Sequence, residues 1–249
     1  MRGLVADLAH ALGGRIGIGQ ARLGDGDDLR PEEAAAMARA TPARRAEFAA
    51  GRSAARAGLR AIGLVPLPIP MATDRSPIWP RGVIGSISHD GDLAMAIVTR
   101  FQGVAGLGLD MEPHEDLPCD LWETVLTPAE TRWLTMRDAA ARGPLARMIF
   151  SAKEASYKAL YPLTGAVVGF DAMTVCPDPD QGRFLARLNI GFGPYGPGTR
   201  LVGHLLTHAD RIVTALVLPP ADECGQNRAA IPDMEMQCFH ANPPEALEI

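Results

Sequence analysis

Lysine, aromatic side chains and long apolar runs are all scarce in this sequence of 249 residues. Only two of its 24 basic residues are lysines, and aromatic residues make up 5% of the chain. No run approaches the ~20 consecutive apolar residues that a membrane-spanning helix needs. Asp7 and His10 interrupt the apolar part of the N-terminus, so it is a poor signal peptide. We therefore expect a soluble cytoplasmic protein without a membrane partner.

Basic blocks and cysteine pairs are missing as well. The formal net charge is −5, and no basic tail points to nucleic acid. The four cysteines are widely spaced and contain no CxxC pair, which argues against a zinc ribbon or a disulfide framework. They are interpreted as buried or free thiols in a reducing compartment.

Hydrophobic residues, at 47%, are plentiful enough for a large core, and 26 glycines with 21 prolines predict many loops. Helices are predicted over residues 31–39 and 42–63. A β-hairpin follows, because Asp90 and Gly91 fit a two-residue turn between alternating strands. With the next strand, the pattern predicts a three-stranded antiparallel meander over residues 83–112. No internal sequence repeat is evident.

The second part of the chain begins with a capping box, in which Thr127 precedes Pro128 and Glu130. We expect that helix to end at Gly143 and Pro144. A second helix is expected from Leu145 to Leu160, stopped by Pro162. Four more strands are predicted between residues 166 and 218. The order of helices, sheet, helices and sheet predicts an α+β fold, with a loose tail over residues 220–249.

Two carboxylates, Asp110 and Glu112, end the strand that closes the predicted meander. Side chains at positions i and i+2 of a strand share a face, so both should point the same way, with Met111 on the other side. Adjacent carboxylates repel each other unless a cation lies between them, and oxygen ligands favour a hard ion such as Mg²⁺. A solvated strand end is the alternative interpretation.

Both lysines, Lys153 and Lys158, lie in one predicted helix, on either side of Glu154. Glu154 and Lys158 fall on a polar stripe with Arg147 and Ser151. An ordinary surface ion pair would account for the pair, but not for lysine in a chain that otherwise uses arginine. A compact ammonium group is suited to contacting a phosphate.

An anion site is a second hypothesis, based on His89 at a strand end and on the arginines of the second predicted helix. His89 could donate to a phosphate or simply cap the turn that follows it. Several arginines lie on the helix predicted over residues 42–63. Either a solvated basic face or an anion clamp would explain them.

Four stretches in a set order carry a resemblance to a known family: EFAAGR (47–52), WPRGVIGSISH (79–89), GLGLDME (106–112) and FSAKEASYKALYP (150–162). Together they resemble the 4′-phosphopantetheinyl transferases of the enterobactin- and surfactin-synthetase type, and the enterobactin-like branch in particular. The family pattern is G-[IV]-D-x-E followed by [FW]-[SC]-x-K-E-[AS]-x-x-K. Leu109 departs from it, since Ile or Val is commoner there.

The resemblance implies an α+β fold with a pseudo-two-fold axis, in which two similar halves each have a small antiparallel sheet and packed helices. The halves would be residues 1–105 and 106–219, followed by a flexible tail over 220–249. It implies transfer of the 4′-phosphopantetheine arm of coenzyme A to a serine of an acyl or peptidyl carrier protein, by a monomer. Adenosine 3′,5′-bisphosphate would be the other product.

The family's residue roles transfer to matching positions. Asp110, Glu112 and Glu154 would hold Mg²⁺, with Mn²⁺ as the alternative ion, and Glu154 and Lys158 would be catalytic. Coenzyme A would be bound by several residues, which are Arg44, Arg52, Arg75, Ser88, His89, Asp110, Lys153 and Lys158. Carrier proteins are acidic, so a basic strip with Arg132 and Arg137, continued by Arg142 and Arg147, is expected to dock them.

Two alternatives to this function stay open at the level of sequence. Another Mg²⁺-dependent enzyme acting on a nucleotide diphosphate, such as a hydrolase, would share the three carboxylates. A non-catalytic module that binds coenzyme A or carrier domains would have lost a ligand or the base, and neither is missing here. The motifs do not distinguish fatty-acid, polyketide, peptide-synthetase and siderophore carriers.

Overall fold

The computed structural model describes residues 2–24 and 29–223 of the chain and has the predicted α+β fold. The α-helices are α1 (Arg2–Leu12), α2 (Pro31–Ala34), α3 (Pro42–Ala61), α4 (Trp122–Val125), α5 (Pro128–Thr135) and α6 (Ala139–Thr164). The strands are β1 (Gly17–Arg22), β2 (Ile84–Asp90), β3 (Leu93–Thr99), β4 (Gly106–Pro113), β5 (Met173–Asp178), β6 (Arg183–Leu188), β7 (Arg200–His208) and β8 (Arg211–Leu218).

The strands form two antiparallel sheets of different size. The first has the order β1-β3-β2, and the second has the order β4-β8-β7-β6-β5. The predicted flexible tail lies almost entirely outside the described residues. Among the residues that the structure does describe, no helix is long and apolar enough to cross a bilayer.

The predicted meander is wrong at its third strand. The hairpin of β2 and β3 forms as expected, but Asp90 pairs with Leu93, so its two-residue turn is Gly91–Asp92 and not Asp90–Gly91. However, β4 pairs with β8 in the second sheet, and β1 takes the free edge of β3. The glycine-rich sequence of β1 has low strand propensity, so local pattern did not predict the strand that fills this edge.

Three apolar clusters hold the sheets and helices together. One lies between α3 and the first sheet, and another between α6 and the second sheet. The third cluster joins the two sheets and includes Leu4 and Leu8 of α1, Met95 and Ile97 of β3, and Leu107, Leu109 and Met111 of β4. The two halves of the chain therefore share a continuous apolar contact.

Proline did not end helices where the sequence predicted. Helix α5 ends at Thr135, and α6 runs through both Pro144 and Pro162. The backbone bond that Pro144 cannot make would end on the carbonyl of Ala140, which is exposed and open to water. Pro162 lies in the last turn, and α6 ends before Gly165, which has a φ of 63°.

A buried glutamate anchors the short helix α2 in the first half. The Glu33 side chain is fully buried and accepts hydrogen bonds from the backbone N–H groups of Arg30 and Ile69, both at 2.9 Å. Arg56 of α3 donates to both of its carboxylate oxygens, at 2.9 and 2.7 Å. The charge of Glu33 is thus paired, and the ends of three chain segments meet on it.

Glu130 occupies the same kind of position in α5. It accepts from the backbone of Thr127 and Val175, both at 2.6 Å, and completes the predicted capping box. Its cation is Lys153 of α6, whose Nζ lies 2.7 Å from Glu130 Oε2. Nζ also donates to the carbonyls of Val125 and Phe170, which uses all three donors of the ammonium group.

The cysteines differ in part from the expectation. Cys119 is a free, exposed thiol, as predicted. Cys176 on β5 is disulfide-bonded, so the interpretation of four free thiols is wrong at this residue. Spacing along the chain does not report which sulfur atoms the fold brings together.

Candidate active site

Strand β4 and helix α6 approach each other closely at the predicted site. A Cβ on Gly108 would overlap the carbonyl oxygen of Ala155, and one on Gly106 would overlap that of Ala159. The two glycines therefore bring the strand backbone onto the helix. Asp110 and Glu112 continue the same face of β4, while Met111 is buried in the apolar cluster between the sheets, as predicted.

Asp110 is 4% exposed and has one satisfied and one unsatisfied carboxylate oxygen. Its Oδ1 accepts hydrogen bonds from Lys158 Nζ at 2.7 Å and from Ser88 Oγ at 3.1 Å. Its Oδ2 is buried and has no hydrogen-bond partner among residues 2–24 and 29–223. A buried carboxylate oxygen without a partner is energetically costly. A cation bound at this atom would compensate its negative charge.

Glu112 faces Arg147 of α6. The guanidinium donates to Glu112 Oε2 at 2.9 Å and to the carbonyl of Asp116 at 2.9 Å. Burial, together with the negative charge of Asp110, nevertheless raises the pKa of Glu112 to about 7, and Arg147 only partly opposes this. The carboxylate is thus poorly compensated by the side chains around it.

Glu154 lies on α6 between these contacts. Burial raises the pKa of Glu154, the charge of Lys158 lowers it, and the charge of Asp110 raises it again. A carboxylate whose pKa is raised binds a proton more readily, which suits a general base. Glu154 is therefore within the electrostatic reach of both Asp110 and Lys158.

The expected triad of metal ligands is not a closed cluster. In the part of the chain that the structure describes, no three His, Cys, Asp or Glu side chains are gathered closely enough to hold a metal ion. Arg147 forms an ion pair with Glu112 instead, and Lys158 forms one with Asp110. The donors still fit Mg²⁺, which commonly takes one or two carboxylates and fills its remaining positions with water and substrate phosphates.

Lys158 is bound to β4 at two points and to β2 at one. Besides Asp110, its Nζ donates to Ser88 Oγ at 3.3 Å and to the carbonyl of Leu109 at 3.2 Å. Its side chain is still 29% exposed, so it reaches the surface of the site. Contact with a phosphate would require Lys158 to exchange at least one of these bonds.

Ser88 is placed differently from the expectation that it contacts coenzyme A. It is 6% exposed and lies between β2 and β4, where its hydroxyl meets Asp110, Lys158 and the backbone N–H of Met111. Ser86 makes the neighbouring bridge, accepting from the backbone N–H of Leu109 at 3.0 Å. A three-stranded meander would place β3 between β2 and β4, so the predicted pairing does not reveal this seam.

His89 and Arg44 come together at the mouth of the site. Both are exposed, and Arg44 Nη1 lies 3.3 Å from His89 Nε2. Burial lowers the pKa of His89, with the charges of Arg44 and Lys158 in the same direction and that of Glu47 opposing them. Arg44 also pairs with Glu47 at 3.0 Å. Two of the predicted anion contacts are therefore neighbours.

Arg52 and Arg75 have contrasting environments. Arg52 is 6% exposed, with its guanidinium 4.0 Å from the centre of the Phe48 ring and its Nε donating to the carbonyl of Ile69. Burial lowers the pKa of Arg52 to about 10. Arg75 is exposed and has a φ of 72°. Asp74 beside it accepts from Tyr161 Oη of α6 at 2.7 Å, which ties the Arg75 turn to the helix of the site.

Two groups of predicted contacts are not brought to the site. Lys153 is 1% exposed and its donors are used by Glu130 and two carbonyls, so it is a structural residue and not a contact for coenzyme A. Of the predicted basic strip, Arg132 is exposed, and Arg137 lies over the Trp133 ring at 4.5 Å. The continuation of the strip through Arg147 is wrong, because that side chain turns inward to Glu112.

Two family models match the chain. The 4′-phosphopantetheinyl transferase N-terminal domain matches residues 32–99, and the 4′-phosphopantetheinyl transferase superfamily matches residues 106–197. The two matched ranges contain the Arg44–His89 pair and the Asp110–Lys158 pair respectively.

Similar curated proteins carry related names. 4′-Phosphopantetheinyl transferase Svp of Streptomyces mobaraensis is 45% identical over 178 residues, which is 70% of this chain and 71% of that protein. 4′-Phosphopantetheinyl transferase PptT of Mycobacterium tuberculosis is 36% identical over 196 residues, 76% of this chain and 85% of that protein. Enterobactin synthase component D of Escherichia coli is 38% identical over 119 residues, 47% of this chain and 54% of that protein.

Proposed function

This chain belongs to the 4′-phosphopantetheinyl transferase superfamily, and from that premise we propose that Asp110, Glu112 and Glu154 support a Mg²⁺-dependent transfer. Like its relatives it is a phosphopantetheinyl transferase, which uses coenzyme A and acts on a carrier protein. The proposal concerns how the residues of this chain carry out that reaction.

The observation that carries the proposal is the buried Asp110 carboxylate, which pairs with Lys158 through Oδ1 and leaves Oδ2 without a partner among the described residues. Burial raises the pKa of Glu112 and of Glu154, and the negative charge of Asp110 adds to this, so a cation bound here would offset both effects. When bound, Mg²⁺ would neutralise the diphosphate and stabilise charge on the leaving group. Asp110, Glu112 and Glu154 would hold it, and Mn²⁺ is the alternative ion.

In the proposed reaction a serine hydroxyl of the carrier attacks the β-phosphorus of coenzyme A. A new P–O bond forms to the serine, the bond to the bridging oxygen breaks, and adenosine 3′,5′-bisphosphate leaves. Glu154 takes the serine proton, directly or through a water molecule, since its raised pKa favours that role. Lys158 exchanges one of its present acceptors for a diphosphate oxygen and opposes the charge of the leaving group.

Coenzyme A would lie across the two halves, which we take to be residues 1–105 and 106–219. Arg44 and His89 contact its 3′-phosphate and adenosine end, and Arg75 approaches from the turn that Tyr161 holds. Arg52 can contribute positive charge at this end only from its buried position beside Phe48. Action as a monomer also belongs to this proposal.

The test is transfer to an apo carrier in the presence of Mg²⁺ and coenzyme A, followed by intact mass spectrometry. The carrier should gain the mass of one phosphopantetheine, and chelation of the metal should abolish the gain. Hydrolysis of coenzyme A without any carrier modification would instead favour a hydrolase, and binding without turnover a non-catalytic module.

The residue roles are tested by Glu154→Ala. Its turnover should fall by about 10²–10⁴-fold, the usual contribution of a positioned acid–base group. Coenzyme A binding measured by calorimetry without metal should persist. Ser53 on α3, which is buried and bonded to Arg56, supplies the control, since Ser53→Ala should transfer normally. Normal turnover by Glu154→Ala would refute both its ligand role and its base role.

A further inference from the structure

The hydroxyl of Ser88 has no hydrogen-bonding capacity left for a substrate. A serine hydroxyl can donate one hydrogen bond and accept two. Ser88 Oγ donates to Asp110 Oδ1 at 3.1 Å, accepts from the backbone N–H of Met111 at 3.2 Å, and accepts from Lys158 Nζ at 3.3 Å. At 6% exposure it is also poorly accessible to a phosphate.

Each of these three partners belongs to the second half of the molecule, although Ser88 itself lies on β2 of the first. Strands β2 and β4 lie side by side without pairing through their backbones, because β4 pairs with β8. Along this seam, serine hydroxyls of β2 accept the hydrogen bonds that backbone carbonyls would accept in a continuous sheet. Ser86 Oγ accepts from the backbone N–H of Leu109, and Ser88 Oγ accepts from that of Met111. The Ser88 hydroxyl thus links the first half of the chain to the Asp110 carboxylate.

We propose that Ser88 is a positioning residue that orients the carboxylate of Asp110 toward the metal, rather than a ligand of coenzyme A. This inference rests on the proposed function, in which Asp110 holds Mg²⁺. With Oδ1 held by both Ser88 and Lys158, the plane of the carboxylate is set and Oδ2 is left for the cation. Loss of Ser88 leaves Lys158 as the one side chain on Oδ1, and the carboxylate is then free to rotate about its Cβ–Cγ bond.

Ser86 is a matched control that the chain itself provides. It is buried to a similar extent, at 4% exposure, and bridges the same two strands through the same kind of hydrogen bond. Its hydroxyl makes no hydrogen bond to Asp110 within the residues that the structure describes. Ser86→Ala and Ser88→Ala therefore each leave one backbone N–H of β4 unpaired, but only Ser88→Ala releases Asp110.

The experiment measures Mn²⁺ binding to the enzyme–coenzyme A complex by electron paramagnetic resonance, with Mn²⁺ as the probe ion. Ser88→Ala should weaken Mn²⁺ binding about tenfold, the lower end of the usual cost of losing a residue that orients a metal ligand. Ser86→Ala should bind Mn²⁺ like the wild type. Ser88→Thr keeps the hydroxyl on a residue that suits a strand, and it should restore most of the affinity.

Thermal unfolding of the three variants separates positioning from folding. Ser88→Ala should lower the melting temperature more than Ser86→Ala, since the Ser88 hydroxyl makes three hydrogen bonds and the Ser86 hydroxyl makes one to the described residues. Equal Mn²⁺ affinities for these two variants would overturn the proposal. So would a loss in Ser88→Thr as large as that in Ser88→Ala, and this comparison remains decisive if Ser88→Ala does not fold.

Two further arms identify which hypothesis fails. Asp110→Asn should weaken Mn²⁺ binding at least as much as Ser88→Ala; unchanged binding would refute the metal role of Asp110, and with it this inference. The ratio of kcat/KM for coenzyme A to that for 3′-dephospho-coenzyme A should stay at the wild-type value in Ser88→Ala and fall in His89→Ala. A fallen ratio in Ser88→Ala with unchanged Mn²⁺ affinity would make Ser88 a phosphate contact and overturn its positioning role.

Discussion

The two halves of this enzyme share a packing scheme but differ in their chemistry. In the first half, Gly17 and Gly19 of β1 bring the strand onto α3, where a Cβ on Gly19 would overlap the carbonyl of Ala54. In the second half, Gly108 of β4 meets Ala155 of α6 in the same way. The segments GIG and GLG are thus equivalent in space, a repeat too short to be recognised in the sequence alone.

The buried glutamates repeat as well. Glu33 and Glu130 each follow a helix-initiating proline by two residues, accept from their own N-cap, accept from a distant backbone N–H, and pair with a cation of the long helix. The cation is Arg56 in the first half and Lys153 in the second. Lys153 therefore belongs to the scaffold that both halves share, which explains why it contacts Glu130 and not the side chains of the site.

The carboxylates and Lys158 have no such counterpart. Two residues beyond Gly19 stands Ala21, whereas two beyond Gly108 stands Asp110. With Ala54 matched to Ala155, Ser53 corresponds to Glu154 and Ala57 to Lys158. The glycine contacts and buried glutamates that both halves share therefore build the fold. The carboxylates and Lys158, which only the second half has, form the candidate catalytic set.

The largest expected effect tests the shared scaffold. Glu33→Ala and Glu130→Ala should each lower the free energy of unfolding by about 3–5 kcal/mol, because each leaves an unpaired buried cation. Denaturant unfolding measures this loss. Glu130→Gln keeps the shape and one acceptor oxygen and should lose less. A Glu130→Ala protein as stable as the wild type would end the claim that the two glutamates are equivalent.

A smaller effect separates packing from chemistry. Gly19→Ala and Gly108→Ala should each cost about 1–3 kcal/mol of stability, since each forces a strand away from a helix backbone. Only Gly108→Ala should also reduce transfer, by about 10²-fold, because it displaces Asp110 from its partners on α6. Unfolding and turnover measured on both variants give the comparison, and an equal loss of turnover in the two would contradict it.

The smallest effect concerns the surface. Arg132→Glu on α5 should raise the KM for an acidic carrier protein by roughly threefold to fivefold and leave the KM for coenzyme A unchanged. Arg39, exposed shortly after α2, gives the matched charge reversal in the first half, and Arg39→Glu should change neither KM. Arg137 is a poorer probe because it also packs on Trp133. Equal effects of Arg132→Glu on both substrates would exclude a docking role.

Local sequence signals predicted much of the structure. The capping box at Thr127, the hairpin of β2 and β3 and the four strands after residue 166 are confirmed, while the turn of the hairpin lies one residue later than predicted, at Gly91–Asp92. The third strand of the meander was wrong, because strand partners depend on which edge is free, and the edge of β3 is filled by a strand with weak propensity. Pro162 did not stop α6, which continues two residues past it to Thr164 and ends before Gly165, whose φ is positive.

The sequence likewise predicts only part of the candidate site. Periodicity placed Asp110 and Glu112 on one face, and Glu154 and Lys158 on one stripe. It could not separate Lys153 from Lys158 by function, since both belong to the same motif. Only the position of Glu130, from another helix, shows which lysine is buried and which one meets Asp110.

The sequence by itself determined most of the helices and strands, the family and the residue types of the site, because these depend on local periodicity, capping and ordered motifs. The tertiary structure alone decided that β4 leaves the first sheet, that Ser88 bridges the halves, and that Arg147 turns to Glu112. Each of these contacts joins residues far apart in the chain. Their energies come from burial and charge pairing between segments, and no local pattern encodes which segments will meet.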